Sequence, residues 1–180
     1  NNIMNTRQFV LFGDPAMTLN YPKLKNKANI TELLVDNIST DTIKALSTVN
    51  IKGIVEDNYG NINTNFNGLL YVEVLDKPKR TTTLGNDADI QSVFYVENSY
   101  LFKGKVNIEN GKFNFSFIVP KDIAYNYDNA KMYFYFHNDE IDGNGYYEDF
   151  IVGGVSNSYI EDNTGPEITL YLDQETFQDG

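Results

Sequence analysis

"KVNIENGKFNFSFIVP", residues 105–120, decides the fold. Asn110-Gly111 is the favoured two-residue hairpin turn, because both residues accept positive φ at little cost. Pairing outward from it sets Glu109 opposite Lys112, Ile108 opposite Phe113 and Val106 opposite Phe115. Val106, Ile108, Phe113, Phe115 and Phe117 then share one face, and Asn107, Asn114 and Ser116 the other. One dry face and one wet face is the pattern of antiparallel sheet. A slip of one residue would expose three phenylalanines, so the register is strongly specified.

The same period of two extends in both directions. In "VNIKGIVED" (49–57), Val49, Ile51, Gly53 and Val55 alternate with Asn50, Lys52, Ile54 and Glu56. "LLYVEVLD" (69–76), "SVFYVEN" (92–98) and "YYEDFIVGG" (146–154) read as further strands. In "KMYFYFHND" (131–139), Met132, Phe134 and Phe136 face one way, and Tyr133, Tyr135 and His137 the other. The 24 asparagines, many beside Gly or Asp, supply turns. Seven or so short strands between about Val49 and Val155 point to an all-β, immunoglobulin-like β-sandwich. The only helix candidate is "STDTIKALS" (39–47). There, Ser39 or Asp41 could cap one turn carrying Ile43 and Leu46, or the stretch is extended with a single bend. Residues 23–48 as a whole read as a linker lying over a neighbouring surface, and "KPKRTTTLGNDADIQ" (77–91) as a long polar connection.

Composition narrows the function. With 41% hydrophobic and 14% aromatic residues in 180, the chain can build a core. A net charge of −11 disfavours nucleic-acid backbones and anionic membrane surfaces. No cysteine is present, which excludes disulfides, thiolate zinc sites and a thiolate nucleophile within these residues. No apolar run approaches the roughly 18 residues of a membrane-spanning helix.

The densest set of oxygen ligands is "NDEIDGNGYYED" (138–149), and Asp139, Glu140, Asp142, Asn144 and Glu148 are its candidate calcium ligands. Glu140, Asp142, Asn144 and Gly145 can be laid on positions 1, 3, 5 and 6 of a helix-loop-helix calcium loop. Position 12, where a bidentate Glu is needed, falls on Ile151. The competing reading is a polar turn between two strands, with no cofactor required. His137, the single histidine, reads as a residue on the wetter sheet face, and "GNDAD" (85–89) as a solvated acidic loop. "LFGDPA" (11–16) lacks the Gly spacing and Lys of a phosphate cradle and reads as a turn. Tyr95, Tyr100, Tyr125, Tyr127, Tyr133, Tyr135, Tyr146 and Tyr147 are either amphipathic filler under neighbouring structure or the lining of a sugar- or peptide-binding face. No catalytic residue is identified.

Seven segments carry a likeness when taken in order: "RQFVLFGDPAMTLNYPK" (7–23), "ALSTVNIKGIVED" (45–57), "NFNGLLYVEVLDKP" (65–78), "TTTLGND" (81–87), "KGKVNIENGKFNFSFIVPKDI" (103–123), "NGYYEDFIVGG" (144–154) and "GPEITLYLDQETFQDG" (165–180). Together they resemble the region behind the catalytic domain in gingipain-family cysteine peptidases, above all the cell-surface sortases of type IX secretion. The resemblance implies four parts. Residues 1–22, with the apolar stretch Phe9–Phe12 entering the Gly13-Asp14-Pro15 turn, would be the C-terminal edge of an upstream caspase-like α/β catalytic domain. Residues 23–48 would be the linker and 49–164 the immunoglobulin-like sandwich; 165–180 would be its terminal strand or the start of a following β domain. It also implies an exported, outer-membrane-associated parent in a Gram-negative bacterium. There a Cys/His dyad would remove the C-terminal sorting domain of exported cargo. The partners implied are the other domains of that parent, secretion subunits and cargo. Neither dyad residue carries over, since there is no Cys and His137 falls within the sandwich. The alternative from another class is a stand-alone adhesin or glycan-binding module.

Overall fold

The computed structural model describes residues 26–86 and 90–157, together with Asp14, Ala16, Met17 and Gly165. Thirteen strands follow in order: β1 Lys27–Val35, β2 Ile38–Ser39, β3 Thr42–Ala45, β4 Thr48–Glu56, β5 Gly68–Leu75, β6 Lys79–Thr82, β7 Val93–Val96, β8 Tyr100–Ile108, β9 Lys112–Ile118, β10 Asp128–Asn129, β11 Met132–His137, β12 Asp142–Tyr147 and β13 Ile151–Val155. The all-β class is as the sequence predicts, with the sheets packed in a sandwich-like or barrel-like way. The stretch Phe9–Phe12 and nearly all of residues 158–180 lie outside the described residues. Asp14 does form the expected turn: its carbonyl accepts from Met17 N (3.1 Å) and its carboxylate from Ala16 N (2.8 Å).

The main sheet runs β8-β5-β11-β12-β1-β4-β9, with β2 added to β1. Its pairs are antiparallel except β1 with β12, which meet in parallel at Lys27 and Asn144. The expected hairpin forms at its turn and not along its strands. Asn110 (φ 51°) and Gly111 (φ 71°) make the turn, and Glu109 exchanges backbone hydrogen bonds with Lys112 (2.9 and 3.0 Å). Beyond that pair the strands part. Ile108 lies opposite Gly68 in β5, and Phe113 opposite Gly53 in β4. The turn is tied down from outside: Gly111 donates to Phe66 O and accepts from Val55 N (both 2.8 Å). The predicted faces survive, with Ile108, Phe113 and Phe117 buried. Phe102 of β8 stacks on Phe115 and Phe117 of β9 at 5.5 and 5.0 Å, filling the space between the sheet's two terminal strands.

The linker expected over 23–48 is corrected. Residues 27–35 form β1, an interior strand flanked by β12 and β4. A register shift between Ile30 and Glu32 inserts one extra residue, so the inward set changes phase from Ala28 and Ile30 to Leu33 and Val35. A bulge of this kind destroys the alternation by which a strand is recognised. The helical option for 39–47 also fails. Thr42 and Ile43, β-branched, suit strand β3, which pairs with β13. Leu46, at φ 63°, ends it. Residues 77–91 are not simply a connection, since Lys79–Thr82 pairs with Val93–Val96 as a separate two-stranded ribbon.

The core gathers Val49, Ile51 and Val55 from β4, Leu70, Val72 and Val74 from β5, and Met132, Phe134 and Phe136 from β11. Ile43 and Val152, from the small sheet β10-β13-β3, join it. Fully burying one such side chain contributes about 2 kcal/mol. Space for the rings comes from glycines on neighbouring strands. A Cβ on Gly143 would lie 2.3 Å from Phe136 Cζ, and one on Gly145 2.2 Å from Ala28 O of β1. Gly143→Ala therefore overpacks the core and should cost about 1–3 kcal/mol in urea unfolding. Asn144→Ala, one residue along on the exposed face, should stay within about 0.5 kcal/mol of the parent. Equal midpoints for the two variants would refute this account of the packing.

Candidate functional site: an open aromatic face

The side chains that alternate away from the core form a lattice fixed by strand register. Lys105, Tyr71, Tyr135, Asn144 and Lys27 make one row across five strands. Lys103, Glu73, Tyr133 and Tyr146 lie on one side of it, and Asn107, Leu69, His137 and Asp142 on the other. Tyr133, Tyr135 and Tyr146 are 41%, 47% and 58% exposed. Tyr71 stacks on His137 (5.7 Å between centroids, 19° between planes), and Tyr135 leans on both, at 6.0 and 5.8 Å.

Lysines line this face. Lys105 Nζ sits 5.0 Å from the Tyr71 centroid, Lys27 Nζ 5.9 Å from Tyr146, and Lys103 Nζ 5.1 Å from Tyr100. Lys103 also pairs with Glu73 (2.5 Å), and that hydrogen bond, then the carboxylate's charge, raises its pKa above the usual lysine value.

At one end of the face, Tyr71, Tyr135 and His137 meet the loop Asn138–Asp142 in a shallow cleft of about 400 Å³. Asn138 closes the loop: its side-chain oxygen accepts from Glu140 N (3.0 Å) and Ile141 N (2.8 Å), and its own N–H donates to Ile141 O (2.9 Å). The stretch 138–142 is thus a polar turn joining β11 to β12. It keeps three of the five calcium candidates together and separates Glu148 from them. Asp139, Glu140 and Asp142 line the cleft, and Asn144 follows on the outer face of β12. Glu148 lies beyond the strand's far end, ~20 Å from Asp142 at the strand rise. It lines a different cleft, of about 610 Å³, with Asp41, Asp149 and Lys131. Among the described residues no three His, Cys, Asp or Glu are grouped to hold a metal ion. The "DGNG" pattern has a packing origin in Gly143 and Gly145.

Of the eight tyrosines singled out from the sequence, the lattice takes Tyr133, Tyr135 and Tyr146, while Tyr100 sits at its edge beneath Lys103. Tyr95 belongs to the β6–β7 ribbon, and Tyr147 stacks on Phe150 at 5.9 Å. Tyr71 was missed; only the β5–β11 register sets it beside Tyr135. His137 lies on the wetter face, as expected, in contact with the rings of Tyr71 and Tyr135. Chemically the face can bind, through flat rings, amides and charges.

No known family profile matches the chain, and no curated protein matches it. Among solved structures the chain is similar to dimeric latent PorU from Porphyromonas gingivalis, at 28% identity and a TM-score of 0.66. The match covers 93% of this chain and 16% of that one. Weaker likenesses are Spo0M, a sporulation control protein from Bacillus subtilis (14% identity, TM-score 0.39, 72% of this chain and 50% of that one), and PapD-like domain 7 of human CEP192 (11% identity, TM-score 0.34, 85% and 99%). The chain therefore contains a PorU-like domain and spans a small part of that protein's length.

Beside the second cleft, the Tyr147 phenol is raised above its ordinary value near 10, first by burial, then by the charges of Asp149 and Asp41. A phenol with a raised folded-state pKa adds stability below its unfolded value and loses it as pH rises through the folded one. Tyr147 also donates to Asp149 O at 3.2 Å. Urea melts at pH 8 and pH 11 should show a larger alkaline loss for the parent than for Tyr147→Phe. An equal loss in both would contradict the assignment.

Proposed function

We propose that this chain is a non-catalytic β module of a gingipain-type cysteine peptidase that works in type IX secretion. The single observation that carries the reading is the likeness to PorU, at 28% identity and TM-score 0.66 over 93% of the chain. The parent would remove the C-terminal sorting domain from exported cargo at the outer surface of a Gram-negative bacterium. The chain holds no cysteine, so a thiolate nucleophile would have to come from elsewhere in such a parent. What these residues offer is contact: an open aromatic face and the β6–β7 ribbon. Among the described residues β6 and β7 pair only with each other, and Val93, Phe94 and Tyr95 are exposed there. A two-stranded ribbon is marginal alone in water and gains stability from a partner surface. The partners proposed are the catalytic and following domains, secretion subunits and cargo.

The exposed Tyr133 and Tyr135 favour one other reading, a glycan-binding module, for which a glycan-array signal lost in Tyr133→Ala or Tyr135→Ala would speak.

Two measurements test the accessory role. The purified chain should release no fragments from a peptide library, and turnover would sink the reading. In cells carrying the full-length parent, replacing Lys79–Val96 by a short Gly-Ser linker should leave cargo with its sorting domain attached, at unchanged parent abundance. Normally trimmed cargo would remove the ribbon from this role.

A further inference from the structure

We infer that the cleft formed by Tyr71, Tyr135, His137, Asp139, Glu140 and Asp142 docks a basic side chain, arginine or lysine, of an extended partner polypeptide. Its floor is aromatic: Tyr71 and His137 stack in near-parallel planes, with Tyr135 against both. Its wall carries three carboxylates.

The rest of the face supplies its own cations. Away from the cleft, Glu73 is neutralised by Lys103, and Tyr100 and Tyr146 each have a lysine ammonium over the ring; on the cleft floor Lys105 covers Tyr71 and leaves Tyr135 without a cation. At the cleft this pattern is interrupted. Among the described residues Asp139, Glu140 and Asp142 make no ion pair, and no lysine stands over Tyr135. The lysines in the same row as Tyr71 and Tyr135, Lys105 and Lys27, stand over Tyr71 and Tyr146.

Charge and shape select the occupant. Three uncompensated carboxylates repel phosphate, sulfate and acidic sugars. A guanidinium can lie flat on a ring while its edge donates to a carboxylate, and an ammonium is attracted by both. A neutral saccharide would use the rings but gain nothing from the net charge. The cleft is shallow and open to solvent, which suits one side chain projecting from a partner segment. Only the choice of a polypeptide as the cation's source rests on the accessory-domain reading. The binding test below is independent of the peptidase and cargo tests of that reading.

The test is calorimetry on the whole 180-residue chain with three probes: a Gly-Ser peptide bearing two arginines, the same peptide with citrulline at those positions, and maltohexaose. The arginine peptide should bind and shift the amide resonances of Tyr71, Tyr135 and His137. Its affinity should fall about ten-fold with citrulline and about ten-fold in Asp142→Asn. It should also fall as sodium chloride rises from about 50 to about 500 mM. Glu140→Gln, in the exposed loop, is the second variant should Asp142→Asn melt early, and Tyr135→Leu should weaken binding several-fold. The inference is overturned if the arginine peptide does not bind, if citrulline or the carboxamide variants bind equally well, or if maltohexaose alone binds.

Discussion

Phenylalanine rings laid across the glycines of a neighbouring strand hold this sheet together. Phe113 pairs with Gly53, Phe134 with Gly145 and Phe136 with Gly143. At Gly53 and Gly143 a Cβ would fall 2.2 and 2.3 Å from the opposing ring. A ring at full size needs a neighbour with no side chain, and a bare strand needs a ring to cover its backbone. At Phe113–Gly53 and Phe136–Gly143 the requirement is mutual, and it reinforces the register that the backbone hydrogen-bond ladder sets. Through Phe113 and Gly53 β9 pairs with β4, and it stands at one end of the sheet order while β8 stands at the other. Among the described residues the sheet's two terminal strands share backbone hydrogen bonds at the Asn110-Gly111 turn, and Phe102, Phe115 and Phe117 stack between them beyond it.

Faces were legible, because an alternating strand has the same inward set whatever it pairs with: Met132, Phe134 and Phe136 inward, Tyr133, Tyr135 and His137 outward. The turn at Asn110-Gly111 was legible from its positive-φ chemistry. Partnership was not. Turn geometry pairs Glu109 with Lys112, but tertiary packing assigns every pair after it. β1 escaped because the extra residue at Thr31 breaks its period; in the fold Thr31 donates its hydroxyl to Lys52 O at 3.2 Å. "DGNG" looked like ligand chemistry because glycine serves loops and tight strand packing alike.

The outer face shows the same division. Its residues alternate visibly on each strand, but a lattice needs register between strands distant in sequence. Tyr71 meets Tyr135 across β5 and β11, and Lys105 reaches Tyr71 from β8. Glu148 illustrates the converse: six residues from Asp142 in sequence, it is carried along β12 to a separate cleft. Proximity in sequence is a poor guide to a site on a sheet, where each residue adds about 3.3 Å of separation.

The placement of β1 has a bearing on how the molecule is made. It is the first described strand in the chain, yet one of its flanks is closed by β12, near the other end of the described residues. The Asp36 carboxylate that follows β1 accepts from Ser156 Oγ at 2.6 Å, a second contact with a residue far later in the chain. A chain delivered from its N-terminus can therefore assemble β1, β4 and β9 early, but that half keeps one raw edge until Asn144 and Ser156 emerge. Such non-local closure is slow and leaves half-built sheets open to wrong pairing. Closure of the β1 edge thus waits on β12, a strand far later in the chain.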